Sequence, residues 1–157
     1  MLKTSFTVKV IKAFINQAES LWLTAFESSQ SGQSIFIRGD EYRKFPVRFN
    51  TRAKLLAYFK NNWSCRLSVI MLCNLNPILF RGSLYEIVAD PGPVPNRVVR
   101  LQVISQTSSR LHVKAVMSGG DEGNETIFYT LSTASGRLKI ISRSGRSTDY
   151  RYLPCRR

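Results

Sequence analysis

The 157-residue sequence predicts an α+β fold in which N-terminal helices pack on a curved antiparallel β-sheet. Three observations carry this. Apolar residues recur at steps of three and four through about residues 6–75. From Pro77 to about residue 153 the pattern becomes near alternation. Short polar stretches with Gly, Pro, Ser and Asn separate the alternating segments. The length and 43% hydrophobic content suit one domain over residues 1–157, with a helical part at about 6–75 and a strand-rich part at about 77–153. Helices first and meander last are the order expected of an NTF2-like or cystatin-like cone.

Between Phe6 and Phe26, residues Val10, Ile11, Phe14, Ile15, Ala18, Leu21, Trp22, Ala25 and Phe26 form one stripe of an amphipathic helix. Thr4, Ser5 or Thr7 can cap its start, and "SSQSGQS" at 28–34 ends it. "SIFIRG" at 34–39 reads as a short strand. The "DEYRKFPVRF" that follows reads as a turn, because Pro46 opposes a long central strand. "NTRAKLLAYFKNNW" at 50–63 is a second helix, capped by Asn50 or Thr51, with Leu55, Leu56, Phe59 and Trp63 on one side. It either extends through "CRLSVIMLCNL" or is followed there by another helix.

Four or five strands follow: "ILFRGSLYEIVA" with a turn at Gly82, "RVVRLQVISQT", "SRLHVKAVMS", "ETIFYTLST" and "GRLKIISRSG". Alternation puts Val99, Leu101 and Val103 opposite Arg100 and Gln102. It also puts Leu111, Val113, Ala115 and Met117 opposite Arg110, His112 and Lys114. One sheet face is therefore core and the other wet and basic. Between two strands, "YEIVADPGPVPNR" sets three of the six prolines at alternate positions, a rigid connector that cannot donate ladder hydrogen bonds. A stiff loop also costs little entropy to present to a partner.

The net charge of +13, from 23 Lys and Arg against 10 Asp and Glu, favours polyanionic surroundings such as nucleic acid, anionic lipid or acidic wall polymer. The densest basic groups are Arg97 with Arg100, then Arg137, Lys139, Arg143 and Arg146, then Arg151, Arg156 and Arg157. Residues 1–15 show no intact signal peptide, and the apolar runs fall short of the ~20 residues that span a bilayer. Cys65, Cys73 and Cys155 form no C-x-x-C pair. Cys65 and Cys73 lie about 12 Å apart along a continuous helix, too far for a disulfide, so buried free thiols are expected. With His112 the single histidine, a zinc site has almost no ligands, and no metal or other cofactor is expected.

No catalytic group is assigned and no enzyme is expected. His112 alternates out of the sheet, a triad has only that one base of the usual kind, and no G-x-S-x-G, Walker, H-E-x-x-H or G-x-G-x-x-G motif occurs. Cys65 beside Arg66 reads as a packed thiol rather than a reactive one. Asp121, Glu122 and Glu125 place three of the ten acids in one Gly-rich loop, a local reversal of sign that suits recognition of a cationic partner. They also form a conceivable carboxylate pair with Asp90. The plain alternative is a solvated hairpin tip. On the wet face, Arg100, Arg110, Lys114, Lys139 and Arg143, with Phe128 or Tyr129 for stacking, would serve a polyanion. "NET" at 124–126 fits a glycosylation acceptor, a pattern common by chance.

With these elements in place, "EYRKF" leading into "NTRAKLLAYFKNNW", then "RGSLYEIVADPG" and a closing "YRYLP", resemble the IseA-type family of bacterial DL-endopeptidase inhibitors over most of residues 35–155. The resemblance implies a non-enzymatic, cell-wall-associated protein that binds a peptidoglycan hydrolase and blocks its active-site cleft. It would lie in the cell wall or outside the cell if a leader was removed, and in the cytoplasm otherwise. Such work needs a rigid domain presenting loops. Asp90, Pro91, Gly92 and Pro93, with Asp121, Glu122 and Glu125, are the partner-binding candidates, since both loops leave the sheet and carry acids. Two other classes stay open: a basic domain that binds nucleic acid or another polyanion, and a small enzyme or ligand binder with an NTF2-like pocket.

Overall fold

The computed structural model describes residues 5–145 and 149–155; Thr4, Arg146, Arg156 and Arg157 lie outside the described residues. Helix α1 spans Val8–Ser29 and starts at Thr7, whose Oγ1 accepts from Val10 N at 3.2 Å. Its expected stripe buries Ile11, Ile15, Ala18, Leu21, Trp22, Ala25 and Phe26, whereas Val10 is half-exposed. Strand β1 (Ser34–Ile37) turns at Arg38–Gly39 into β2 (Asp40–Lys44), so the residues expected as a turn form a strand that Pro46 closes. A 3₁₀ turn at Val47–Phe49 leads to α2 (Arg52–Lys60), capped by Thr51. The chain then breaks, and α3 (Cys65–Leu75) restarts at the cap Ser64.

Asn76, with φ +52, ends α3 in the left-handed region just before Pro77. Strands β3 (Ile78–Phe80) and β4 (Ser83–Ile87) form the hairpin expected at Gly82. They join the first pair as a sheet ordered β1-β2-β4-β3. Strands β5 (Arg97–Gln106), β6 (Arg110–Gly120), β7 (Gly123–Ser132) and β8 (Lys139–Ser144) make a second, meandering antiparallel sheet. One of the two is strongly curled into a half-barrel, so the α+β architecture with a curved sheet is present, built from two sheets.

Bulges decide which side chains reach the core. Register shifts between Val98 and Arg100 and between Val103 and Ser105 leave Val99 and Ile104 as extra residues. Val98 therefore takes the core position expected of Val99, which is 49% exposed. Leu101 and Val103 keep their register opposite Ala115 and Val113, but only Leu101 packs against the core and Val103 is exposed. A third bulge, at Ile141 in β8, puts Arg143 on the same face as Ile140, opposite Tyr129. Arg143 thus leaves the wet face and points inward, its side chain 4% exposed.

The core joins α1 to α2, α3 and the second sheet. Both tryptophans are buried with their indole N–H paired: Trp63 donates to Ala18 O at 3.0 Å and Trp22 to Met71 O at 3.1 Å. Residues 62–64 run beside β8, with Ile140 N donating to Asn62 O and Ser64 N to Ile140 O, each at 2.8 Å.

A buried polar cluster closes the other end. Glu19, on the apolar stripe of α1, is fully buried. Its Oε1 accepts from Tyr129 Oη at 2.5 Å and Arg143 Nε at 2.7 Å, and its Oε2 accepts from Arg151 Nη2 and Tyr152 Oη, each at 3.0 Å. Asp149 takes Arg143 Nη2 at 2.9 Å and Arg151 Nε at 3.0 Å. Arg151 also donates to Glu19 O and Pro95 O at 2.9 Å. Two acids and two arginines cancel, and every donor of the fork has work, the condition under which buried charge is tolerated. Burial, then the Glu19 charge, pushes the Tyr129 hydroxyl well above its ordinary pKa, so it stays a donor.

Cys73 and Cys155 form a disulfide with Cα atoms 6.0 Å apart, and Cys65 is exposed. The expectation of buried free thiols is overturned. The distance along α3 excluded a Cys65–Cys73 pair but not a bond from Cys73 to the chain end. The disulfide closes a separation of 82 residues, and such closures typically stabilise by about 2–4 kcal/mol. Asn74 Nδ2 adds hydrogen bonds to Arg151 O and Leu153 O at 3.1 and 2.8 Å, so residues 149–155 form a strap across α3 and α1. Among the described residues no helix is long and apolar enough to cross a membrane. Glu19→Ala strands two buried arginines and is expected to cost about 3–5 kcal/mol, read as a lowered urea midpoint at unchanged slope.

Candidate functional site: a cleft between the proline connector and an acidic hairpin

The connector between β4 and β5 is fixed first by its own sequence. Asp90 Oδ1 accepts from Gly92 N at 2.9 Å, and Gly92 sits at φ +69, a conformation that Asp-Pro-Gly supports and a side chain would strain. Tertiary bonds then hold it at both ends. Tyr150 Oη donates to Pro91 O at 2.7 Å, Arg151 reaches Pro95 O, and Asn96 N donates to Ser118 O at 3.0 Å. Asn96 lies against the β6–β7 hairpin at Gly119, where an added Cβ would stand 2.4 Å from Asn96 Oδ1 and 2.7 Å from Val94 O. Glycine is therefore what lets connector and hairpin touch.

Their meeting leaves a cleft of about 430 Å³ lined by Pro91, Gly92, Pro93, Val94, Pro95, Gly120, Asp121, Glu122, Glu125, Asp149 and Tyr150. Six of the seven partner-binding candidates thus share one cleft, with Asp121 and Glu122 exposed on the hairpin tip and Glu125 at the start of β7. Asp90, the seventh, lines a neighbouring pocket on the far side of Pro91 and Tyr150. The cleft floor includes Asp149. Burial works to raise its pKa, but the hydrogen bonds and charge of Arg151, helped by Arg143, outweigh burial and hold it below the ordinary value. Asp149 therefore keeps its negative charge at the cleft floor. Among the described residues no three His, Cys, Asp or Glu side chains gather as a metal-binding group.

The polyanion candidates lie elsewhere. Register places Arg100, Arg110, Lys114 and Lys139 on the outer face of the second sheet, with Arg100 and Lys114 lining one shallow pocket and Arg110 and Lys139 flanking Ser132. Arg143 is in the buried cluster, as is Tyr129, while Phe128 is 44% exposed opposite Lys114. His112 faces outward and its Nδ1 lies 3.0 Å from Thr130 Oγ1.

Two groups escaped the sequence reading. Glu19 stands between Ile15, Ala18 and Trp22 on the apolar stripe, and a charge at that spacing is the signal that a buried counter-ion exists. Glu86, in the apolar run "LYEIV", carries no comparable mark. It is 2% exposed, and burial raises its pKa to about 8, only partly offset by the bond from Ile87 N.

A family model for IseA DL-endopeptidase inhibitors matches residues 2–142. The chain belongs to this family. Membership implies a protein inhibitor of DL-endopeptidases that is not itself an enzyme, with a DL-endopeptidase as its class of partner. The matched span includes both loops of the cleft and α1 with Glu19. It starts well before the motifs that carried the resemblance, and stops short of the 149–155 strap that supplies Asp149 and Tyr150. No curated protein matches the chain.

Because the folded Glu86 pKa lies above the unfolded one, its contribution is complete below about pH 4.5 and is lost as pH rises through about 8. Across that window the native protein is expected to lose on the order of 4 kcal/mol relative to Glu86→Gln. Paired urea titrations from pH 5 to 9 measure the difference, and parallel curves would contradict it.

Proposed function

We propose that this IseA-family chain acts on a peptidoglycan DL-endopeptidase by seating the paired rim, Asp90–Pro93 and Asp121–Glu125, in the hydrolase active-site cleft. The observation that carries the reading is the convergence of the two loops. They are separated in sequence by the whole of β5 and β6, yet are bound to each other and to the strap by the hydrogen bonds of Pro91, Pro95 and Asn96. Such a rim is already ordered and pays little entropy on docking. Asp90 and Asp121 bring acid to the contact in a protein of net charge +13, which suits a basic hydrolase surface. The Cys73–Cys155 disulfide favours an oxidising, extracytoplasmic setting. The single-domain reading of residues 1–157 belongs to this proposal.

In a DL-endopeptidase assay the protein is expected to inhibit saturably. Combined Asp121→Ala, Glu122→Ala and Asp90→Ala changes should raise the inhibition constant by at least about tenfold, roughly 1.4 kcal/mol, with the melting temperature unchanged. No inhibition of several such enzymes by the unmutated protein would sink the reading, and full inhibition by the triple variant would move the contact off this rim.

A second reading is favoured by the outer sheet face, where Arg100, Arg110, Lys114 and Lys139 are unopposed by acids in register. That face would bind an anionic polymer, wall polymer or nucleic acid, and could retain the inhibitor near its target. Binding to a polyanion such as duplex DNA should weaken with salt at a log–log slope of about −3 to −4 for four contacts. Affinity that is flat in salt, or unchanged when the four are replaced by Gln, would exclude it.

A further inference from the structure

A second pocket, of about 350 Å³, lies where α1, α3, the end of β4 and the connector meet. It shares Asp90 and Pro91 with the proposed inhibitory rim, which makes no use of its aromatic wall or of Glu86. Its walls include the rings of Trp22, Phe26, Tyr42 and Tyr150, together with Glu86 and Asp90. The aromatic wall is fixed, since Trp22 stacks on Phe26 at 5.6 Å between centroids and takes Tyr150 edge-on at 5.4 Å. Among the described residues no Lys or Arg lines it, in a chain of net charge +13.

Glu86 is the feature that calls for an occupant. Its Oε1 accepts from Ile87 N at 3.3 Å, while its buried Oε2 has no hydrogen-bond partner among the described residues. The residue opposite it in register is Arg43, the obvious counter-ion. Yet Arg43 Nε is engaged by Glu41 at 3.1 Å and its guanidinium also donates to Gln30 O. A buried carboxyl oxygen left without a donor is costly, and here it borders a cavity of ligand size.

We propose that this pocket binds an organic primary ammonium group, its alkyl stem against the aromatic rings and its N–H donors on Glu86 Oε2, with Asp90 at the mouth. Aromatic faces attract a cation and the carboxylate completes its charge. Burial keeps Glu86 largely protonated at neutral pH, so an arriving ammonium, which stays charged to about pH 10, displaces that proton to solvent. The other titratable groups facing Glu86 are Arg43 and Tyr42 on β2, Asp90 on the connector and Tyr150 on the strap; burial raises the Tyr150 pKa, so it stays neutral there. The ammonium can come from a free amine or from a lysine side chain of another protein. The proposal does not depend on the inhibitory rim.

The probes are n-butylammonium chloride, neutral n-butanol and Nα-acetyl-lysine-N-methylamide, titrated by calorimetry in two buffers of different ionisation enthalpy. Butylammonium is expected to bind with release of about one proton at pH 7, and about tenfold more tightly at pH 7 than at pH 6. Butanol should not compete. Glu86→Gln should weaken binding at pH 8 at least about tenfold, and its melting temperature at pH 5, where Glu86 is neutral too, should match that of the unmutated protein. Asp90→Asn, at the exposed mouth, should weaken binding several-fold without touching the core. Binding of acetyl-lysine-methylamide at least as tight as butylammonium assigns the site to a protein lysine; its exclusion while butylammonium binds assigns it to a free amine. No butylammonium binding at millimolar concentration, equal binding of butanol, or unchanged affinity in Glu86→Gln would overturn the proposal.

Discussion

The structure turns on one buried carboxylate. Glu19 projects from the apolar face of α1 into a space where water cannot solvate it, and so it must be met by donors. Those donors come from β7, β8 and the strap: Tyr129, Arg143, Arg151 and Tyr152. Satisfying one side chain therefore fixes the helix against the sheet and brings the last part of the chain back across both. Asp149 balances the second arginine. Without it the cluster would hold a net buried charge, which no protein interior of this size tolerates cheaply.

The candidate site is a consequence of that cluster. Arg151 Nη2, which meets Glu19 and Asp149, also reaches Pro95 O; next to it Tyr150 bonds Pro91 O. The strap thus holds the connector from below while Gly119 admits the hairpin from the side. The same Tyr150 separates two cavities of opposite design. One opens between acids on hydrogen-bonded loops, and the other is walled by aromatic rings around a carboxyl whose Oε2 has no donor among the described residues. The disulfide between Cys73 and Cys155 secures the far end of the strap, so redox state and site geometry are linked through a segment of seven residues, 149–155.

The helical stripe of α1, the caps at Thr7 and Thr51, the hairpin at Gly82 and the alternation of β6 were legible because each depends on neighbours a few residues apart. The connector and the hairpin could be named as partner-binding candidates for the same reason, since proline spacing and a run of acids are local marks. Their meeting in one cleft was not legible. The faces of β5 and β8 were misread where bulges at Val99 and Ile141 shift the period by one residue, which exchanged Val99 for Val98 and turned Arg143 inward.

What the sequence determined by itself is the stripe of α1, the change from helical spacing to alternation at Pro77 and the stiffness of the Asp90–Asn96 link, because periodicity, capping and proline geometry act over single turns of chain. Only the tertiary structure decided that Cys73 pairs with Cys155, that Arg143 and Arg151 are core residues in a protein otherwise basic on its surface, and that Glu86 Oε2 borders a cavity with no donor among the described residues. The physical reason is range. A charge's environment depends on which distant segments exclude water around it, and a disulfide depends on where the chain end returns, and neither leaves a mark in neighbouring residues.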